Sequence, residues 1–407
     1  MLVILTTHPI QYQIPIWKAL ASRGRVPFRV FFMSDQGVKI TYDPGFQRTF
    51  SWDIDLLNGF DYEFLDMQVG DRQDSFRWLR MKRTFGAKLR KAGATILWLQ
   101  GWQVAAYWQA AGWAKLMGLE LWLRGESNSR SASGERGRAL RRFSVTCLLR
   151  QMDRLLFIGD ANRRFYLEKG ISESDLSFAP YCVDNNRFLA SSELARTCRT
   201  EIRLRWRIPE NAFCFLFVGK FVVKKRPLDL ALAAKQLMIE VPQRPIHILW
   251  VGAGELGPSL RAVSSVAFDC DCGTSVRSDD PVDDSRPPAS FVGFLNQSEI
   301  SEAYVSADCL VLPSDGRETW GLVVNEAMAS GLPCVISDAC GCAEDLVLPH
   351  RMDLRYPVGD VDALCGALRR VIANAPSQVE VQAHIAKYDV LRTVEVVESL
   401  YLQRRAS

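Results

Sequence analysis

Histidine is scarce in this chain, with four in 407 residues, and the cysteines do not make up for it as metal ligands. A structural zinc site usually takes C-x-x-C-like spacing, often with histidine, whereas Cys270 with Cys272 and Cys340 with Cys342 are spaced C-x-C. No metal is therefore expected. A secretory start is also missing, because Met1-Leu-Val-Ile-Leu-Thr-Thr7 has neither a cationic first region nor a small-residue cleavage site, and it reads as a first strand. A chain of this size is stable without staples, so the eleven cysteines read as mostly buried thiols and the expected compartment is the cytoplasm. The one uncharged run long enough to cross a bilayer, Ala92 to Ala114, contains Gln100, Gln103 and Gln109 and is punctuated by Gly93, Gly101 and Gly112. It parses better as strand (Ala94 to Leu99), helix (about Gln103 to Leu116) and strand (Leu119 to Leu123), a β-α-β unit. Short-period repeats are absent, and 48% apolar with 24% charged residues excludes wholesale disorder and fibrous organisation.

At roughly 150 residues per domain, the length suggests two or three domains. Short runs rich in Val, Ile, Leu, Phe and Trp alternate with amphipathic stretches of helical length, which means parallel sheets covered by helices. Strands are expected at Leu2 to Leu5, Phe28 to Phe32, Ile96 to Leu99, Leu119 to Leu123, Arg154 to Ile158 and Leu176 to Ala179. A second set follows at Phe213 to Val218, Ile246 to Val251, Ser290 to Val292, Cys309 to Leu312 and Pro333 to Ser337. The fold class is α/β, with two Rossmann-like parallel-sheet domains over residues 1–187 and 188–385 and a C-terminal helix over 386–407. Ligands of open α/β sheets bind at the carboxyl ends of strands, so a cleft between two such domains is the expected site. The stretch from Ser264 to Ser290, rich in Ser, Asp and Pro, reads as an exposed, mobile loop.

Three segments carry chemistry. In the run from Ser306 to Ser337 a strand ends at Leu312 and a helix starts near Gly321, leaving Glu318 in the loop and Glu326 in the helix. The N–H groups of Gly321, Leu322 and Val323 are first-turn donors, suited to an anion such as a diphosphate. Two carboxylates there make sense if they accept hydrogen bonds from sugar hydroxyls; the alternative is capping and a surface acid. In Phe215-Leu-Phe-Val-Gly-Lys220, a strand runs into Gly219, and Lys220 and Lys225 follow on a tight loop. Each cation offers a phosphate roughly 4 kcal/mol of Coulomb attraction at an effective dielectric near 20, before desolvation. The third segment, Gly252-Ala-Gly-Glu-Leu-Gly257, matches the G-x-G-x-x-G dinucleotide pattern. No strand ending in a ribose-binding acid is evident about 20 residues on, so the glycines are read as letting backbone pass close to a nucleotide sugar. In the first half, His8 and Gln11 lie on a strand-to-helix turn and Glu126 on a fourth-strand loop, each at an expected sheet edge. A structural role for them stays open beside an acceptor contact.

Together these residues resemble the retaining nucleotide-sugar glycosyltransferases of family 4, which have the GT-B fold of two facing Rossmann-like domains. Glu318 and Glu326 fit the family's paired-Glu motif, and Phe217-Val-Gly-Lys220 with Lys225 its basic pair, although Lys220 stands where Arg is more usual. Pro180-Tyr-Cys-Val-Asp184 with Phe188, Val292-Gly-Phe294 and Tyr356-Pro-Val-Gly-Asp360 also fit. The resemblance implies a catalytic set of Glu318, Lys220 and Lys225, with Glu326 on the ribose diol, Glu318 on the donor sugar and the lysines on the diphosphate. Gly219, Gly321, Leu322, Val323 and Phe294 would complete donor binding. It further implies no cofactor and a hexosyl transfer without metal, to a glycan or lipid-linked acceptor of surface polysaccharide or glycolipid synthesis. Two departures stand out: Thr7-His8-Pro9 replaces the usual glycine pair, which touches the acceptor side and not the donor site, and the 264–290 stretch is longer than usual. The alternatives are a nucleotide-sugar epimerase or hydrolase on the same fold, a nicotinamide-dependent oxidoreductase and a non-catalytic scaffold.

The small net charge of +4 conceals two opposed halves, +9 over residues 1–190 and −5 over 191–407. Arg77, Arg80, Lys82, Arg83, Lys88, Arg90 and Lys91 form one basic cluster, and Arg136, Arg138, Arg141 and Arg142 another. They are read as a solvated face or as the attraction of an anionic acceptor or membrane surface, without insertion. No nucleic-acid partner is expected.

Overall fold

The computed structural model describes every residue except 71, 73–74, 131–137, 273–284 and 407. The chain opens with β1 (Leu2–Thr6) and β2 (Phe28–Phe32), followed by a hairpin of β3 (Thr41–Asp43) and β4 (Arg48–Phe50). Next come β5 (Tyr62–Phe64), the small pair β6 (Gln68–Val69) and β7 (Leu79–Arg80), β8 (Ile96–Leu99), β9 (Glu120–Arg124), β10 (Arg154–Phe157) and β11 (Leu176–Phe178). The second half supplies β12 (Phe213–Val218), β13 (Ile246–Val251), β14 (Ser265–Asp269), β15 (Pro288–Gly293), β16 (Cys309–Leu312), β17 (Cys334–Ser337) and β18 (Arg355–Tyr356). They assemble two seven-stranded parallel sheets, β11-β10-β9-β8-β1-β2-β5 and β14-β15-β13-β12-β16-β17-β18.

The chain divides into two compact units. The first takes residues 1–41, 55–181 and 389–407, and the second takes 42–54 and 182–388. In the first, the wholly buried run Leu2–Thr6 has no polar face because helices cover both sides of a parallel sheet. Val3, Leu5, Leu97, Leu99, Leu121 and Leu123 form one side of its core with Tyr107 and Tyr166 from the covering helices. The C-terminal helix Val390–Ala406 belongs here, and its buried Glu398 accepts from Arg23 Nε at 3.0 and 3.1 Å. In the second unit, Phe215, Phe217, Ile248, Trp250 and Phe291 pack beneath Leu230, Leu237, Leu364 and Leu368. The helix Val361–Ala373 starts where the Asp360 carboxylate accepts from Ala363 N–H at 2.8 Å.

Several expectations need correction. Residues 42–54 lie in the second unit, and the chain enters that unit at Cys182 and leaves it after Tyr388. The polar stretch after Asn186 is helical and packs into the second unit. It forms the helices Asn185–Arg196 and Arg199–Arg205, and Arg203, 1% exposed, donates to the carbonyls of Ser306 (3.0 Å), Pro209 and Ala212 (2.6 Å each). The stretch read as a loop from Ser264 begins instead with β14, paired to β15, and β5 and β18 were not foreseen. The acidic Asp279 to Asp284 part of that stretch lies outside the described residues. No helix among the described residues is long and apolar enough to cross a membrane, and the run from Ala92 forms β8 and the helix Ala105–Leu116.

Candidate functional site

In the second unit the carboxyl ends of β12 and β16 deliver the charged residues. Strand β12 ends at Val218, Gly219 N–H donates to Val251 O (3.0 Å), and a 3-10 turn over Val223–Lys225 precedes the helix Pro227–Glu240. Arg226, at the entry of that helix, takes a left-handed φ of 49° and is held by its own bidentate bond to Asp229 (2.7 and 3.2 Å). Strand β16 ends at Leu312, and the loop after it is braced at both ends. Asp315 N–H donates to Lys224 O (2.9 Å), and Gly341 and Cys342 N–H donate to Glu318 O and Trp320 O (3.1 Å each). Gly321, at a φ of 110°, caps the helix Leu322–Ala329, so the first-turn positions of Leu322 and Val323 fall where expected.

This scaffold brings Lys225 and Glu318 together. Their side chains form an ion pair 93 residues apart in sequence, at 16% and 15% exposure. Lys224, which the sequence reading passed over, stands beside them: burial lowers its ammonium pKa, Glu318 opposes that, and Lys225 and Lys220 lower it further. Glu326 is 3% exposed and accepts a hydrogen bond from the hydroxyl of Tyr304, itself 1% exposed. Tyr304 in turn packs edge-on against Phe188 at 6.2 Å. Tyr304 was also missed, since nothing in sequence links it to a residue on another helix. Lys220 does not join Glu318: its ammonium donates to Asp43 Oδ2 at 2.9 Å. Phe294 sits among Phe46, Phe50 and Trp52.

The glycine-rich turn after β13 has a different cause from the one expected. Gly252 and Gly254 have φ of 129° and 148°, and a β-carbon would stand 2.0 Å from Gly219 O in the first and 2.7 Å from Phe221 O in the second. The close approach is to the chain's own backbone. A strand ending in an acid does follow, contrary to the sequence reading, because β14 ends at Asp269. Its carboxylate is gripped by Arg261 (2.5 and 2.9 Å), and β15 separates β14 from β13, so the arrangement departs from a dinucleotide fold. Asp269, Cys270 and Asp271 could converge on a cation, but Arg261 pairs with both acids.

In the first unit, Thr7 Oγ1 and His8 Nδ1 are 2.9 Å apart, and burial pushes the His8 imidazole down to about 4, which keeps it neutral near pH 7. Gln11 is half-buried on the same turn. Glu126 accepts from the Tyr181 hydroxyl, and the buried Arg124 donates to Ala179 O (3.3 Å) and Pro180 O (2.6 Å). The Tyr107 hydroxyl donates to Gln100 O at 3.3 Å; burial raises its phenol pKa, Thr6 and Thr7 hydrogen bonds oppose this, and Glu126 raises it further. The end of β1 thus carries Thr7 with His8, and the end of β9 carries Glu126 with Tyr181, the partner that sequence spacing did not suggest.

Residues 212–374 match the family described as Glycosyl transferases group 1. A D-inositol 3-phosphate glycosyltransferase of Nocardioides sp. is 30% identical over 178 residues, 43% of this chain and 37% of that protein, so the chain spans less than half of this relative. Among solved structures, a glycosyltransferase from Rickettsia africae is similar over 99% of this chain and 98% of its own, at 11% identity and a TM-score of 0.69. HepE of Anabaena, solved in complex with UDP and glucose, is similar over 98% and 99% at 14% identity and a TM-score of 0.63. The chain thus has the GT-B fold of two Rossmann-like domains, and its second half carries the match to the glycosyl transferases group 1 family.

Proposed function

We propose that the protein is a retaining glycosyltransferase of family 4 that moves a hexose from a nucleotide diphosphate sugar to a glycan or lipid-linked acceptor. The observation that carries this reading is the pairing of Lys225 with Glu318, beside Lys224 and at the loop that leads into the helix of Glu326. In the proposed complex the diphosphate takes the ammonium groups of Lys220 and Lys225, and Glu318 turns its carboxylate to the donor sugar's hydroxyls. Glu326 receives the ribose diol in an orientation fixed by Tyr304. As the glycosidic bond breaks, negative charge grows on the departing diphosphate, and fixed cations with a helix N-terminus stabilise it without reorganising. The acceptor hydroxyl attacks from the face the diphosphate leaves, so the anomeric configuration is kept and no carboxylate nucleophile is required. Metal independence and the absence of a cofactor belong to the same proposal.

His8, Gln11 and Glu126 are proposed to meet the acceptor. Neutral His8 can accept or donate one hydrogen bond to a hydroxyl without a charge. The basic first half would draw an anionic acceptor or the cytoplasmic membrane surface in surface polysaccharide or glycolipid synthesis. Arg141 and Arg142 are exposed on the helix Arg138–Leu149, with Phe143 66% exposed beside them; Arg136 lies outside the described residues. The experiment is a thermal-shift screen of nucleotide diphosphate sugars, followed by NMR of the product anomer with a hit as donor. Stabilisation by a nucleotide sugar and a retained anomer support the proposal; an inverted anomer or stabilisation by nicotinamide dinucleotides alone rejects it.

A further inference from the structure

The hairpin over residues 42–54 is fixed to the carboxyl edge of the second sheet at two strand ends. At the end of β12, Asp43 uses one oxygen to accept from Lys220 Nζ at 2.9 Å and the other to accept from Gly45 N–H (2.8 Å) and Phe46 N–H (3.0 Å). The Lys220 ammonium also lies 4.9 Å from the centre of the Phe46 ring. Its stem runs so close to Gly45 that a β-carbon there would stand 2.6 Å from Lys220 Cδ. Beyond β15, Phe46, Phe50 and Trp52 surround Phe294 with ring centres 5.1, 4.5 and 6.3 Å away. Asn296 Nδ2 donates to Ser51 O (2.8 Å), and the Asp53 carboxylate accepts from Ser298 N–H (3.1 Å) and its hydroxyl. Since β13 lies between β12 and β15, these anchors bridge the turn that carries Gly252 and Gly254.

We propose that this hairpin is a built-in competitor of the donor: the Asp43 carboxylate occupies the Lys220 ammonium in place of a phosphate, and a nucleoside diphosphate must displace it. The inference rests on the reading of Lys220 as a diphosphate contact. A diphosphate brings more negative charge to the ammonium than one carboxylate, so exchange runs toward the ligand. The contacts of Phe50 and Trp52 with Phe294 and the Asn296 and Ser298 hydrogen bonds do not involve Lys220, so the far end of the hairpin stays in place when its tip lets go. Burial works to raise the Asp43 pKa, but Lys220 and the Phe46 and Gly45 amides outweigh it and hold the carboxyl below its ordinary value. The competitor therefore carries its charge at neutral pH.

Asp43→Asn removes the charge and keeps an oxygen for the Gly45 and Phe46 amides. Wild type, Asp43→Asn, Lys220→Ala and the double variant are titrated calorimetrically with UDP, GDP and ADP, and hydrogen exchange over residues 42–54 is followed with and without the tightest binder. The expected result is a Kd about twofold to fivefold lower in Asp43→Asn, the size expected for a partly exposed pair. That gain should vanish in the Lys220→Ala background, and nucleotide should speed exchange at Gly45 and Phe46 in the wild type. If Lys220→Ala weakens binding but Asp43→Asn leaves it unchanged or weaker, the competitor proposal is overturned and the donor site stands. If Lys220→Ala binds as the wild type does, or no nucleotide binds the wild type, the reading of Lys220 fails and takes this proposal with it.

Discussion

Replacing Tyr304 by Phe isolates one hydroxyl at the heart of the candidate donor site. The ring keeps its place against Phe188, while the buried Glu326 carboxylate loses the donor from Tyr304. A hydrogen bond to a charged group contributes about 1.5–3 kcal/mol. At roughly 2–4 °C per kcal/mol for a unit of this size, the melting temperature of the second unit should fall by about 3–12 °C. The side chain is too buried to reach a ligand, so any effect on binding must pass through Glu326. A carboxylate that has lost this donor should hold a ribose diol less well, and a loss of about 1.4 kcal/mol corresponds to tenfold weaker nucleotide-sugar binding. Calorimetric titration and differential scanning on Tyr304→Phe, with Glu326→Gln alongside, measure both quantities. A variant that melts lower yet binds nucleotide sugar with wild-type affinity would refute the claim that an oriented Glu326 carboxylate holds the diol.

Three further outcomes are expected. Arg203→Met leaves three carbonyls without their guanidinium donor and strips Asp308 of one of its two arginines, so the second unit should lose about 3–5 kcal/mol in urea denaturation; a loss under 1 kcal/mol contradicts this. Burial pushes His247 down to about 3, with Arg203 adding to the shift, and His8 down to about 4, so both are neutral when folded and bind protons near pH 6.5 when unfolded. Their stabilisation is complete above pH 6.5 and is lost as the pH falls toward 4, at up to about 1.4 kcal/mol per pH unit for each. His247→Gln should flatten the stability curve by one proton's worth, and an unchanged slope would contradict that origin. Charge reversal at Arg141 and Arg142 should weaken binding to anionic vesicles severalfold in sedimentation assays; binding equal to the parent's ends the membrane-surface proposal.

Strands whose neighbours bury them on both faces were legible, because a run such as Phe213 to Val218 has no other use for six consecutive apolar residues. Of the four edge strands only β11 was foreseen: Tyr62–Phe64 and Ser265–Asp269 mix polar and apolar residues as half-exposed edges must, and β18 is two residues long. Arg203 shows a related blindness. A buried arginine satisfied by three carbonyls of two separate segments looks, in sequence, like one more charge on a polar helix. In the site, Glu318, Glu326, Lys220 and Lys225 were singled out from strand-end context, but their partners depend on long-range packing. Lys225 reaches Glu318 and Glu326 reaches Tyr304, whereas Lys220 meets an acid 177 residues away in the first half of the chain. The Asp43-Pro-Gly45 turn and the aromatics after it were the available signal for that hairpin, and nothing local reveals which unit they join.

The strand-end cations and paired glutamates of the second unit are proposed to bind and activate a nucleotide diphosphate sugar. The most direct test measures donor hydrolysis and sugar transfer by Lys225→Ala and Glu326→Ala, with folding checked by circular dichroism. Both activities should vanish in both variants while the spectrum remains that of the wild type. Wild-type turnover in folded Lys225→Ala and Glu326→Ala would contradict it.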